Sequence, residues 1–164
     1  MGACVAIAGG HFGVGLVLML LGRGADGVDG AVARHNGPTD LGAYLDITLD
    51  FIFYASFVFA FAIHDPASRA LSAAALLAAF VGTGASFLAF ATVAAKRGLA
   101  SDQYPDKGFY FLGGLTEGTE TILCFSLMCL WPQHFAWWAW GFAALCVLTL
   151  GTRVLAGWRL MAPR

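Results

Sequence analysis

Five apolar runs, each about the length of a membrane-crossing helix, take up most of this 164-residue chain: 3–24, 41–63, 71–95, 109–131 and 135–157. Roughly 20 helical residues cross the ~30 Å of hydrocarbon in a bilayer, so these lengths set the first constraint on the fold. A transmembrane barrel would instead show alternating polarity in segments of about ten residues, whereas these runs are apolar on every face. The expected fold is therefore all-α: a polytopic transmembrane helix bundle with five predicted helices in one domain, 1–164. Between the runs lie "ADGVDGAVARHNGPTD", "HDPASRA", "KRGLASDQYPDKG" and a tight turn at Pro132, each holding the Gly, Pro, Asn or Asp that ends helices.

Composition agrees, with 59% hydrophobic and 12% charged residues. Nine basic against ten acidic side chains leave no field for a polyanion, so a nucleic-acid partner is excluded. Cys4, Cys124, Cys129 and Cys146 all fall in apolar runs without CxxC spacing and read as small buried hydrophobes. The first run has no positive leader and no small-residue cleavage site, so it is expected to stay in the mature protein.

Positive charge near helix ends stays cytoplasmic. With the first and third loops inside, Arg23, Arg34, Lys96, Arg97 and Lys107 share that side with Arg159 and Arg164, and Arg69 alone lies outside. Trp131, Trp137, Trp138 and Trp140 then form an outer aromatic belt, which puts the N-terminus outside and the acidic loop in the cytosol. Gly9, Gly10, Gly13 and Gly15 in the first run, and Gly82, Ala85 and Ser86 in the third, offer faces for close helix packing.

Negative charge is concentrated in one place. Asp46 and Asp50 are spaced i, i+4 near the start of the second run and share a face. Asp26 and Asp29, spaced i, i+3, share a face if the first helix continues through them. Folding the hairpin brings both pairs to one rim, where like charges repel unless cations intervene. Oxygen-only donors suit hard ions such as Mg²⁺, Mn²⁺ or Ca²⁺, and a carboxylate-bridged metal pair suits phosphoryl displacement. Gly27, Gly30, Gly42, Ala31 and Ala33 keep bulk away from the acids, so phosphates could approach the backbone, and Arg34 could meet their charge.

This stretch resembles the motif of the CDP-alcohol phosphatidyltransferase family, DxxDGxxARx8GxxxDxxxD. Asp26, Asp29, Gly30, Ala33, Arg34, Gly42, Asp46 and Asp50 fill its eight defined positions. Seven residues separate Arg34 from Gly42 where the pattern has eight, which alters the entry into the second helix but not its own spacing. The resemblance implies a membrane enzyme that moves a phosphatidyl or other substituted phosphoryl group from a CDP-alcohol to an acceptor hydroxyl and releases CMP. It implies Asp26, Asp29, Asp46 and Asp50 as ligands of Mg²⁺ or Mn²⁺, two ions in all, with Asp50 also the base. It places Asp29, Gly30, Ala33, Arg34 and Gly42 at the nucleotide, and it suggests a homodimer among membrane lipids, in a bacterial inner membrane. Members usually have six helices, and only about 25 residues precede this motif, so two readings stand: a true start upstream of Met1, or a five-helix variant lacking the family's first helix.

Glu117 and Glu120 lie one turn apart in the fourth run, at the depth of Arg153 in the fifth. A structural ion pair with Arg153 or a place in the acceptor pocket are the two readings. His11 is expected to pack within the first helix, while His64 and His134 fall at the outer interface. Two further readings of the chain are a carboxylate-lined cation transporter, whose acids would be spread through the membrane depth, and a silent family relative serving as a partner subunit.

Overall fold

A computed structural model describes residues 1–36, 39–97 and 118–161; for Val28 to Asn36 and Leu160 it describes the backbone alone. Among the described residues the chain is helical, with no strand: α1 (Gly2–Ala8), α2 (Phe12–Asn36), α3 (Asp40–His64), α4 (Pro66–Lys96), α5 (Gly118–Leu130) and α6 (Phe135–Met161), with a 3₁₀ turn at Pro132–His134. Three stretches are long and apolar enough to cross a membrane, Asp40–His64, Pro66–Lys96 and Pro132–Arg159. Their many exposed large side chains, such as Ile52, Phe59, Leu71, Val81 and Leu148, suit contact with lipid rather than water. The protein is thus an all-α membrane helix bundle.

The predicted spans 41–63 and 135–157 coincide with α3 and α6 to within a few residues. For the span 109–131, the described part is α5, and residues 98–117 lie outside the described set. Helix α4 starts five residues ahead of the predicted position 71, because Asp65 and Pro66 build a helix start. The Asp65 carboxylate accepts from the Ser68 N–H at 3.3 Å and from the Ser68 hydroxyl. Those two bonds hold it below the usual carboxylate range.

The first span is a correction. Residues 3–24 are not one helix: the chain leaves α1 after Ala8, turns at Gly9, Gly10 and His11, and re-enters helix at Phe12. Gly10 has φ +81°, a left-handed conformation that glycine adopts without cost. A Cβ there would sit 2.8 Å from His64 Cε1. The seven residues of α1 fold back along α2, so that Gly2 faces Leu18 and Ile7 packs on Gly15, where a Cβ would lie 2.5 Å from Ile7 Cγ1. His11 is accordingly exposed in the turn and is not a packed helix residue. The expected packing glycines divide likewise: Gly15 is a close approach, while a Cβ at Gly13 would meet nothing.

The chain forms two compact units, Met1–Ala73 with Phe125–Ala136, and Ala74–Cys124 with Trp137–Arg164. The core of the first is aromatic. Phe57 stacks on Phe125 at 4.3 Å, Phe61 on Phe135 at 4.7 Å and on Phe12 at 5.4 Å. Phe57, Phe61, Phe125 and Phe135 are essentially fully buried. Arg69 is buried against this stack, its guanidinium 5.4, 5.8 and 5.9 Å from the rings of Phe12, Phe61 and Phe135, with Asp65 Oδ2 4.0 Å from its Nε. Ring faces and a rim carboxylate offset the cost of placing that charge in an apolar unit.

In the second unit α4 and α6 meet where Gly82 leaves room for Leu150, to which a Cβ would come within 2.9 Å. Phe80 sits edge-on to Phe142 at 6.1 Å, and the Arg97 guanidinium donates to the Met161 carbonyl at 3.2 Å. No disulfide joins any of the four cysteines, and Cys124, Cys129 and Cys146 are buried.

Candidate metal and nucleotide site

The acid-bearing hairpin lies in the first unit. Helix α2 runs unbroken from Phe12 to Asn36, so Asp26 and Asp29 share one helix, as the i, i+3 spacing requires. Helix α3 begins at Thr39, whose extended backbone (φ −108°, ψ 147°) and side-chain hydroxyl, accepting from the Gly42 N–H at 3.1 Å, make an N-cap. Asp40 sits in the first turn, where the helix dipole favours negative charge. Gly42 has a local reason of its own, since a Cβ would meet Thr39 Oγ1 at 3.0 Å. This cap fixes where α3 starts, and so where Asp46 and Asp50 fall on it.

Asp26 and Asp50 come together through a third residue. The Arg23 guanidinium donates through one terminal nitrogen to Asp50 Oδ1 at 2.5 Å, and its other terminal nitrogen lies 2.5 Å from Asp26 Oδ2. Tyr54, one turn beyond Asp50, donates its hydroxyl to Asp50 Oδ2 at 3.4 Å and rests edge-on against Phe125. Arg23 also lies over the Phe53 ring at 4.9 Å. Asp50 is therefore oriented by two donors and half-shielded, while Asp26 is more open and Asp46 is exposed.

Among the described residues no three His, Cys, Asp or Glu side chains converge on one metal position. The structure thus brings Asp26 and Asp50 to one cation and does not bring Asp46 into the same cluster. The side chains of Asp29, Gly30, Ala33 and Arg34 lie outside the described set. The donors present still fit a hard divalent ion in kind: they are carboxylate oxygens, and two of them from different helices already reach a single positive group.

Of the second polar group, Glu117 lies outside the described residues, and Glu120 is exposed in the first turn of α5. In the second unit Arg153 donates to the Thr83 carbonyl at 3.3 Å and lies over the Phe87 ring at 5.7 Å. Sequence reasoning passed over Arg23 and Tyr54. Arg23 counted there only as a topological charge, although its i, i+3 spacing to Asp26 and the i, i+4 spacing of Tyr54 to Asp50 were readable signals.

Comparison with known proteins assigns the chain to a family. The family model described as CDP-alcohol phosphatidyltransferase matches residues 1–149. The chain is similar to "Inner membrane protein YnjF" of Escherichia coli (strain K12), 54% identical over 152 residues that make up 93% of this chain and 74% of that protein. No solved structure matches.

Proposed function

Since the chain belongs to the CDP-alcohol phosphatidyltransferase family, we propose that it moves a substituted phosphoryl group from a CDP-alcohol to an acceptor hydroxyl with release of CMP. CDP-diacylglycerol is the favoured donor, because the transmembrane helices place the protein among lipids. The location proposed is a bacterial inner membrane, following the relative's name. The motif hairpin faces the cytoplasm, and residues 1–164 act as one domain.

In this reading Asp26, Asp29, Asp46 and Asp50 would hold Mg²⁺ or Mn²⁺, and Gly30, Ala33, Arg34 and Gly42 would border the nucleotide. Bound there, the ions supply positive charge to the donor's pyrophosphate and to departing CMP. The acceptor oxygen forms a bond to the phosphorus that carries the donor alcohol. The bond from that phosphorus to the oxygen shared with CMP breaks, and CMP keeps that oxygen. Asp50 takes the acceptor proton and passes it to solvent. Arg23 and Tyr54 set the direction of the Asp50 carboxylate, so its free lone pairs are aimed rather than averaged.

The observation that carries the reading is the meeting of Asp26 and Asp50, from consecutive helices, at one guanidinium. A carboxylate-lined ion path would instead string its acids across the membrane. The test is an acceptor screen on the purified chain alone in nanodiscs, with CDP-diacylglycerol and Mn²⁺ or Mg²⁺, read as CMP. Glycerol phosphate, inositol phosphate, serine and choline are the first acceptors. Release that depends on one acceptor is expected. No release with any acceptor, or with smaller CDP-alcohols as donor, would favour a silent partner subunit.

A further inference from the structure

We infer that Arg23 is a built-in cation of the acid site, a positioning residue that holds Asp26 and Asp50 together and sets how tightly the site takes a divalent ion. This rests on the proposed metal role of those two acids and adds a residue outside the eight-position motif.

Arg23 is placed for this task in three ways. Its side chain is only 25% exposed, and its guanidinium lies against Phe53, so the fork is held rather than free in solvent. It contacts one oxygen of each carboxylate, and its own bond to Asp50 spans 27 positions across the α2–α3 hairpin. Its charge is permanent. A lysine could supply the charge but not the two-pronged contact.

The consequence follows from electrostatics. Arg23 contacts two acids, Asp26 and Asp50, and its single positive charge offsets one of their two negative ones. An ion drawn to Asp26 and Asp50 must share or displace the guanidinium that already occupies an oxygen of each. Arg23 therefore weakens binding of the free ion while keeping the two helices in register when little ion is present. Removing it should do the reverse of both.

The experiment compares the full-length protein with Arg23→Gln in nanodiscs, with Mn²⁺ alone as the probe. Bound Mn²⁺ is counted by electron paramagnetic resonance, and thermal stability is measured in EDTA and in Mn²⁺. Arg23→Gln is expected to bind Mn²⁺ at least about tenfold more tightly, since one unit charge a few ångströms away is lost from a half-exposed site. It is also expected to melt earlier in EDTA and to regain more from Mn²⁺ than the parent. Unchanged or weaker Mn²⁺ binding would overturn the inference. Should the glutamine variant not fold, Arg23→Lys serves: it should melt earlier in EDTA and gain more from Mn²⁺, and an equal gain would count against the bridge. A parent protein that binds no Mn²⁺ would instead remove the metal reading on which the inference stands. A parent that binds Mn²⁺ and releases CMP while Arg23→Gln binds like it would remove the inference alone.

Discussion

Asp26 on α2 and Asp50 on α3 each lie 2.5 Å from a different terminal nitrogen of the same arginine, Arg23. The pairing should appear as coupling in a double-mutant cycle. Arg23→Gln and Asp50→Asn, alone and together, are expected to couple by about 1 kcal/mol in metal-free thermal unfolding, a modest value because both groups are partly solvated. Strictly additive losses would show that the bridge does not stabilise the hairpin.

The fold-back of α1 depends on two glycines of different kinds. Gly15→Val pushes a side chain into Ile7 and should cost about 1–3 kcal/mol. Gly10→Ala forces a side chain into a left-handed backbone beside His64 and should cost roughly 1–2 kcal/mol. Gly13→Ala, which meets nothing, is the control and should leave the melting temperature unchanged or slightly raised. Thermal unfolding of the three variants in one detergent ranks them.

Phe57 has no exposed surface and stacks on Phe125 at 4.3 Å, and Phe125 in turn supports Tyr54, the second donor to Asp50. Phe57→Ala should cost about 3–5 kcal/mol through the cavity it leaves. Phe57→Leu should keep most of the stability. If CMP release falls more than the folded fraction in Phe57→Leu, the ring stack is transmitting position to Asp50.

The start of α4 should respond to acid. Hydrogen bonds from Ser68 lower the Asp65 pKa in the folded protein. A lowered folded value means that the contribution is present above the unfolded pKa, near 4, and is lost as pH falls through the folded one. Below about pH 4 the parent should lose melting temperature faster than Asp65→Ala, which starts lower at neutral pH. Parallel curves from pH 7 to 3 would contradict the cap.

Much of the fold was legible in apolar run length. Helices α3 and α6 follow the runs 41–63 and 135–157 because lipid-length apolar sequence has few other options. The break at Gly9 and Gly10 was hidden by that same criterion: the residues on either side are apolar, and the double glycine that permits φ +81° leaves mean hydropathy high. Helix α4 starts ahead of its apolar run because an acid before a proline begins a helix, a signal that run length does not carry. In the candidate site the acids announced themselves by charge in an apolar chain. Arg23 did not, since a positive residue at the end of a run already had a topological explanation.

The decisive measurement is the rate of CMP release from CDP-diacylglycerol by the purified protein, parent against Asp50→Asn, with Mn²⁺ and then with EDTA. Release by the parent that falls at least about a hundredfold with Asp50→Asn and stops in EDTA is the expected result. Equal release by both proteins, or release that continues undiminished in EDTA, would contradict a metal-assisted transfer centred on these aspartates.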